Sequence, residues 1–416
     1  MGDHGSLSGG RLPLKAMSPA SALTRSLTIV MAITCGLLVA NLYFAQAAIG
    51  PISAELGIGA GAEGLVVTLI QFGYAAGLLF IATLGDLVEN RRVVLVTTAI
   101  AVVGLVGVAL APNVATFLAA SFVVGVVSVG AQVVLPLATH LAPVEQRGRV
   151  IGDVMGGLLA GIMLSRPYAN FVTGLLGWRW VFAIAAVLIA ALWVVLWFTL
   201  PTRKPESGIG YGRLLSSTFG FLGRSRVLQR RALYQALAFG AFNFFWTCAP
   251  LMLHGTFEFN QFQIALFALA GAGGALAAPI SGRLGDRGHA RAVTGVVFAL
   301  MAAMFLVTDW AVAVQALVPL VGAAVLIDAA TQANQVAGQR IIFGIDPEAR
   351  GRINSAYIFV NFLGGATGSL LAPFVYHVAG WQGVALVGAG VALFVLLVFA
   401  TERLDRRHRE QLAASA

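Results

Sequence analysis

Charge is scarce in this chain. Only 10% of its 416 residues are Asp, Glu, Lys or Arg, against roughly 25% in a soluble domain. Lysine stands only at positions 15 and 204. The two cysteines, Cys35 and Cys248, each lie inside an apolar run, which argues against a disulfide framework or a thiolate metal cluster. The six histidines are scattered, with His140, His254 and His377 near the ends of apolar runs. A phosphate-binding loop is missing, which removes ATP as an energy source. Residues Gly59 to Gly64 fit G-x-G-x-x-G, but no strand precedes them, so they do not make a dinucleotide site. An enzyme would need convergent acids or a His/Cys cluster, and a sensor would need a sizeable soluble output domain. Neither is visible, and no cofactor is expected.

What is abundant is hydrophobic sequence, 59% of the chain, with a mean hydropathy of +0.88. Twelve apolar runs approach the roughly 20 residues needed to cross a bilayer. They cover 27–48, 64–84, 93–111, 115–138, 150–174, 178–200, 232–254, 262–283, 292–309, 313–340, 353–377 and 381–401. They are numbered here as spans 1 to 12. A backbone in lipid must satisfy its own hydrogen bonds, so the spans are helices and the chain is an all-α integral membrane protein. The first run is longer than a signal-peptide core and reads as a retained helix.

The 24 basic residues outside Arg166 and Arg179 fall in alternate gaps between runs, including Arg91, Arg92, Arg147, Arg149, Arg350 and Arg352. That bias places both termini in the cytoplasm. It also accounts for the net charge of +9 without a nucleic-acid partner, because the charge is spread over seven segments as a topology signal.

The chain repeats itself. Asp86 and Asp286 stand 200 residues apart, each in a Leu-Gly-Asp turn with an Arg five residues later, Arg91 and Arg291. Gly177-Trp178 answers Gly380-Trp381, and Gln132 answers Gln335, both at 203. Asn41 to Phe44 answers Asn243 to Trp246 at 202. The organisation expected is a tail over 1–26, a six-helix bundle over 27–200, a linker over 201–231, a second bundle over 232–401 and a tail over 402–416. Part of the linker, Tyr211 to Arg231, mixes Leu, Phe and Arg as a surface helix does. Parallel repeats with a site between them describe a secondary transporter.

On these residues the sequence resembles the major facilitator superfamily over its whole span region. The second loop matches the signature G-x-x-x-D-[RK]-x-G-[RK]-[RK] at Gly282, Asp286, Arg287 and Arg291. The first keeps Asp86 and Arg91 but departs at Ala82, Leu87, Glu89 and Asn90. The segment from Ala40 to Gln46 is similar to A-N-L-Y-Y-A-Q of bacterial drug:proton antiporters and sugar-efflux permeases. Ser121 replaces the Arg that many antiporters carry in span 4, and the G-P-x-x-G-G motif of their span 5 is absent. Span 5 has Gly152, Gly156, Gly157 and Gly161 instead, two small-residue pairs suited to close packing.

The resemblance implies a central cavity lined by spans 1, 4, 7 and 10, and a monomer in the bacterial inner membrane. It implies proton-coupled efflux of a small organic molecule, with uptake by symport or uniport as the alternative. The loop residues Asp86, Arg91, Gly282, Asp286, Arg287 and Arg291 are then a conformational switch. Two polar stripes at helical spacing suit a cavity: Ser121, Ser128, Gln132 and Thr139 in span 4, and Asp328, Gln332, Gln335 and Gln339 in span 10. In span 1, Tyr43 and Gln46 share a face, whereas Asn41 and Tyr43 do not. In span 7, Asn243 and Trp246 share a face, and Phe244 and Phe245 are expected to face lipid as readily as protein. The substrate cavity expected is Asn41, Tyr43, Gln46, Gln132, Arg166, Asn243, Trp246, Gln332, Gln335 and Gln339. Arg166 either faces that cavity or reaches for the interface. Asp328, a mid-depth acid that costs about 2.5–3.5 kcal/mol to insert, is the expected proton-coupling group; a permanently paired structural acid is the alternative. Asp153 is expected to pair with a loop arginine such as Arg91.

Overall fold

Twelve crossings appear in the structure, a computed structural model that describes residues 24–202, 210–271, 273–274, 277–346 and 349–415. Within these, the side chains at 86, 144, 285, 286 and 403–415 are not described. The signature carboxylates Asp86 and Asp286, most of the N-terminal tail, the C-terminal tail's side chains and Arg203 to Ile209 of the linker therefore lie outside the described residues.

Span 1 is Arg25–Ala47, span 2 runs over Leu65–Gly85, span 3 is Asn90–Ala109 and span 4 runs over Val114–Leu141. Span 5 is Arg147–Leu176, span 6 Trp178–Thr199, span 7 Arg226–Phe257, span 9 Ala290–Ala313 and span 10 Leu317–Ile342. Span 8 is made of two pieces, Gln261–Gly271 and Ala277–Asp286. Spans 11 and 12 run together over Arg350–Ser415 with a non-helical residue at Gly380 (φ 63°). Gly177, its counterpart between spans 5 and 6, has φ 93°. Both turns need the left-handed region that glycine enters without a Cβ clash, which explains why the Gly-Trp pair recurs. Local sequence starts the helices in the usual way. Thr24, Asn113 and Ser225 each accept a hydrogen bond from the backbone N–H three residues on.

Spans 1 and 5 are joined by glycine. A Cβ on Gly157 would strike the Ala32 backbone, and one on Gly161 the Gly36 backbone. Gly152 and Gly156 meet nothing, so only one of the two expected small-residue pairs packs. Spans 7 and 11 repeat the device, with Gly364 against Ala236 and Gly368 against Gly240. Close backbone approach of this kind is how helices hold together where lipid offers no hydrophobic driving force.

The expected surface helix forms as Tyr211–Arg224, with Leu214 and Thr218 buried. Tyr211 donates to the Phe80 carbonyl of span 2, and Arg352 of span 11 donates to Ser217. The basic loops differ from expectation. Arg91 donates to the Trp197 carbonyl at 2.6 Å and lies over that ring. Asp153 is exposed and takes no part, so the expected pairing with Arg91 does not form. The repeat copy of this contact is Arg291 over Phe399, with Glu402 3.8 Å away. Glu402 also accepts from Arg231 at 3.0 Å and from Tyr234 at 2.9 Å.

Contacts described between spans 1–6 and spans 7–12 run from mid-depth to the end opposite the basic loops. Thr68 donates to Ala366 O, the Tyr74 ring packs tilted against Phe362, and Phe171 meets Phe262 edge to face. Glu63 and His377 meet at 3.1 Å at that far end. The first piece of span 8 packs on span 5, whereas its second piece packs on spans 9 and 10.

Candidate functional site

A polar cluster sits at the middle of the seam between spans 1, 2, 5, 7 and 10. Gln46 is its hub. Its Nε2 donates to Asn243 Oδ1 and to Thr247 Oγ1, both at 3.1 Å, and its Oε1 accepts from Arg166 Nε at 3.0 Å. Gln71 of span 2 donates to the same Asn243 oxygen at 2.6 Å. Thr247 donates on to Ser369 of span 11 at 3.3 Å. Asn243 secures itself by donating to the Phe239 carbonyl one turn back.

Arg166 is 6% exposed, which excludes reaching for the interface. Its guanidinium lies 4.9 Å from the Tyr43 ring centre, 5.0 Å from Phe242 and 4.7 Å from Trp246. Three π-faces offset part of the cost of burying a cation. Its Nη2 is buried without a partner, and among the described residues it makes no ion pair. On the far side of Arg166, a cavity of about 10 Å³ is lined partly by Trp246 and Asn170, enough for one water at most.

Trp246 joins the cation to the acid. Its ring faces Arg166, and its Nε1 donates to Asp328 Oδ1 at 2.6 Å. The break in span 8 makes room for both. A Cβ on Gly271 would come within 2.5 Å of the indole, and one on Gly274 would collide with the Asp328 Cβ. Asp328 is 7% exposed.

Six of the expected residues thus meet: Tyr43, Gln46, Arg166, Asn243, Trp246 and Asp328. The others go elsewhere. Gln132 donates to Tyr74 Oη at 3.0 Å. Gln339 donates to Asn354 at 3.1 Å, and the Gln335 carbonyl accepts from Tyr357. Gln332 is half-buried and has no bonded partner among the described residues. Ser128 and Thr139 bond their own helix, and buried Ser121 has no partner among the described residues. Asn41 is fully buried, has neither amide atom bonded, and lines a separate groove. Phe244 and Phe245 do not face lipid: they are 4% and 0% exposed, and Phe245 packs against Phe305 and Trp381. Gly282 has only ordinary contact with Val336, and Arg287 is exposed.

Sequence reasoning missed Gln71, Thr247, Phe242, Ser369 and Glu402. Gln71 carried a signal, being the single amide within the apolar run of span 2. Among the described residues no group of three His, Cys, Asp or Glu side chains stands together as a metal site.

Comparison with known proteins fits this architecture. The family model "Major Facilitator Superfamily" matches residues 29–324 and 265–415. The "Uncharacterized transporter YgaY" of Escherichia coli O157:H7 is 37% identical over 382 residues, covering 92% of this chain and 96% of that protein. Streptomyces coelicolor has a relative named "Probable transporter SCO4007", 33% identical over 379 residues and covering 90% and 87%. Among solved structures, an inward-facing bacterial homologue of the human lysosomal transporter Spinster superposes with TM-score 0.71 at 15% identity, covering 93% and 98%. A D-xylose-proton symporter superposes with TM-score 0.70 at 14% identity, covering 89% and 97%. At such identities the structural likeness speaks for the fold.

Proposed function

Because this chain belongs to the major facilitator superfamily and is a membrane transporter, we propose that it moves a small organic molecule by alternating access, coupled to protons and directed outward. Two six-helix halves, 27–200 and 232–401 on either side of the 201–231 linker, rock about the seam that holds the polar cluster. The basic loops mark the cytoplasmic face of a bacterial inner membrane, with both termini inside. The protein works as a monomer. The structure is then closed to the outside through Glu63, His377 and the contacts between spans 2 and 11.

The observation that carries the reading is the indole shared by Arg166 and Asp328. Coupling needs a group that holds a proton in one state and releases it in another. A carboxylate at mid-depth changes charge when water, a cation or a low-dielectric wall moves next to it. Asp328 has all three within reach of one motion of Trp246. Tyr43, Gln46, Arg166, Asn243 and Trp246 supply the substrate contacts, and a substrate that moves Trp246 alters the environment of Asp328. Outward direction rests on the similarity of Ala40–Gln46 to efflux permeases. The loops carrying Asp86, Arg91, Gly282, Asp286, Arg287 and Arg291 govern switching rather than binding.

One observation favours a second reading, uptake by proton symport. Arg166 has no ion-pair partner among the described residues, and an anionic substrate docked on it would travel with the Asp328 proton as a neutral pair. Internal-pH recording in proteoliposomes against a substrate panel separates the two. Exchange moves protons against the substrate, and symport moves them with it. A panel compound that is carried with no proton movement in either direction removes the coupling.

A further inference from the structure

Outside the polar cluster, a groove of about 970 Å³ runs between spans 1, 5, 6 and the first piece of span 8. That is the upper end of the range for ligand pockets. From Arg25 to Phe44 it follows span 1 for about 28 Å, most of the hydrocarbon thickness of a bilayer. Its walls are mostly apolar, among them Ile29, Ile33, Leu164, Leu266 and Phe171. Below Leu269 the span 8 wall is missing, because the second piece of span 8 packs on spans 9 and 10. The groove is therefore open sideways to lipid.

Charge is confined to its mouth at the basic end. Arg25, Arg149 and Asp153 line it there. All three are exposed, and none has a hydrogen-bond or ion-pair partner among the described residues. Arg149 and Asp153 stand four apart, on one face of span 5. Two unpaired cations and one unpaired acid above an apolar trough match a zwitterionic head that carries both a phosphate and a primary amine. They do not match a purely anionic head, which Asp153 repels. They match a quaternary amine poorly, because it has no N–H to donate to the carboxylate.

We infer that this groove is a binding site for a phosphatidylethanolamine-type phospholipid of the leaflet at the basic end. The phosphate lies on Arg25 and Arg149, the ammonium on Asp153, and an acyl chain between spans 1 and 5. A lipid there fills the gap left where spans 5 and 8 separate.

Native mass spectrometry of the purified full chain, titrated in detergent with dioleoyl phosphatidylethanolamine, phosphatidylcholine or phosphatidylglycerol, tests this. Ethanolamine lipid is expected to be retained about fivefold better than choline lipid, the discrimination of one interfacial charge. Asp153→Asn is expected to erase that preference, and Arg25→Gln with Arg149→Gln to weaken both lipids. Ala160→Trp, which fills the trough and leaves the mouth charges in place, is expected to expel the ethanolamine lipid. Equal retention of ethanolamine and choline lipids by the parent, or stronger retention of the glycerol lipid, would overturn the assignment. So would an unchanged preference in Asp153→Asn.

Discussion

Trp246 Nε1 donates to Asp328 Oδ1 at 2.6 Å across 82 residues of sequence, and the same indole lies 4.7 Å from the Arg166 guanidinium. The acid and the cation of the seam are thereby read by one side chain. Gly271 lets span 8 close over the indole, and Gly274 lets it close over Asp328, without a Cβ clash.

Arg166 is the first test of that arrangement. Its Nε is fixed by Gln46, and its plane faces three rings. An ammonium is a point charge and cannot reproduce a flat fork between rings. Arg166→Lys is expected to lower kcat/KM for transport at least about tenfold with normal expression. A fully active Arg166→Lys protein would mean that the charge alone matters.

Closure at the far end makes a second prediction. Glu63 and His377 meet at 3.1 Å across the seam. Glu63→Gln or His377→Ala weakens that contact and should shift the population toward outward opening. Spin labels at the exposed positions Leu175 and Gln263 report it as a longer distance component. An unchanged distance distribution in both variants would show that the pair does not hold the gate.

A pH effect on stability is expected at the short helix Ile49–Leu56 that follows span 1. Arg179 at 2.9 Å, with Trp178 at 2.7 Å, holds the Glu55 carboxyl below its ordinary range. A depressed carboxylate contributes stability above its unfolded pKa and loses it as pH falls through the folded one. Glu55→Gln should therefore melt below the parent at pH 7. The difference should close as pH drops through the carboxylate range. A difference that stays constant down to acid pH would assign the effect to packing.

Glycine packing between spans 1 and 5 is expected to be intolerant. Gly161→Val places a branched side chain against the Gly36 backbone, and overpacking of this kind costs about 1–3 kcal/mol. Gly156→Val meets nothing within 4 Å and should be neutral. Thermal melts in detergent compare the two, and equal melting temperatures would contradict the assignment of the seam.

The architecture was legible because hydropathy and a half-chain repeat act over tens of residues and do not depend on side-chain detail. The repeat even returned as geometry, with Gly177 and Gly380 in the same backbone region and Arg91 and Arg291 over aromatic rings of spans 6 and 12. The cluster was legible in part. Rotation about a helix put Tyr43 with Gln46 and Asn243 with Trp246, and both pairs meet at the seam. Helical spacing alone placed Gln332, Gln335 and Gln339 with Asp328. It cannot tell which neighbour each meets along 26 residues, so Gln339 is found on Asn354 of span 11. Phe245 stayed open in the sequence because an aromatic in an apolar run gives no sign of whether lipid or Trp381 lies beside it. Gln71 and Glu402 act through partners more than 100 residues away, beyond the reach of any local pattern.

The central claim is that Asp328 carries the proton. Asp328→Asn keeps the shape of the side chain, leaves an oxygen for the Trp246 N–H to donate to, and cannot change charge. In proteoliposomes, with a panel compound the parent transports, the variant is expected to retain counterflow of that compound. It is expected to lose all transport driven by a pH gradient, together with the substrate-induced change in internal pH. If Asp328→Asn still moves protons with the compound, coupling does not reside at Asp328 and the account fails.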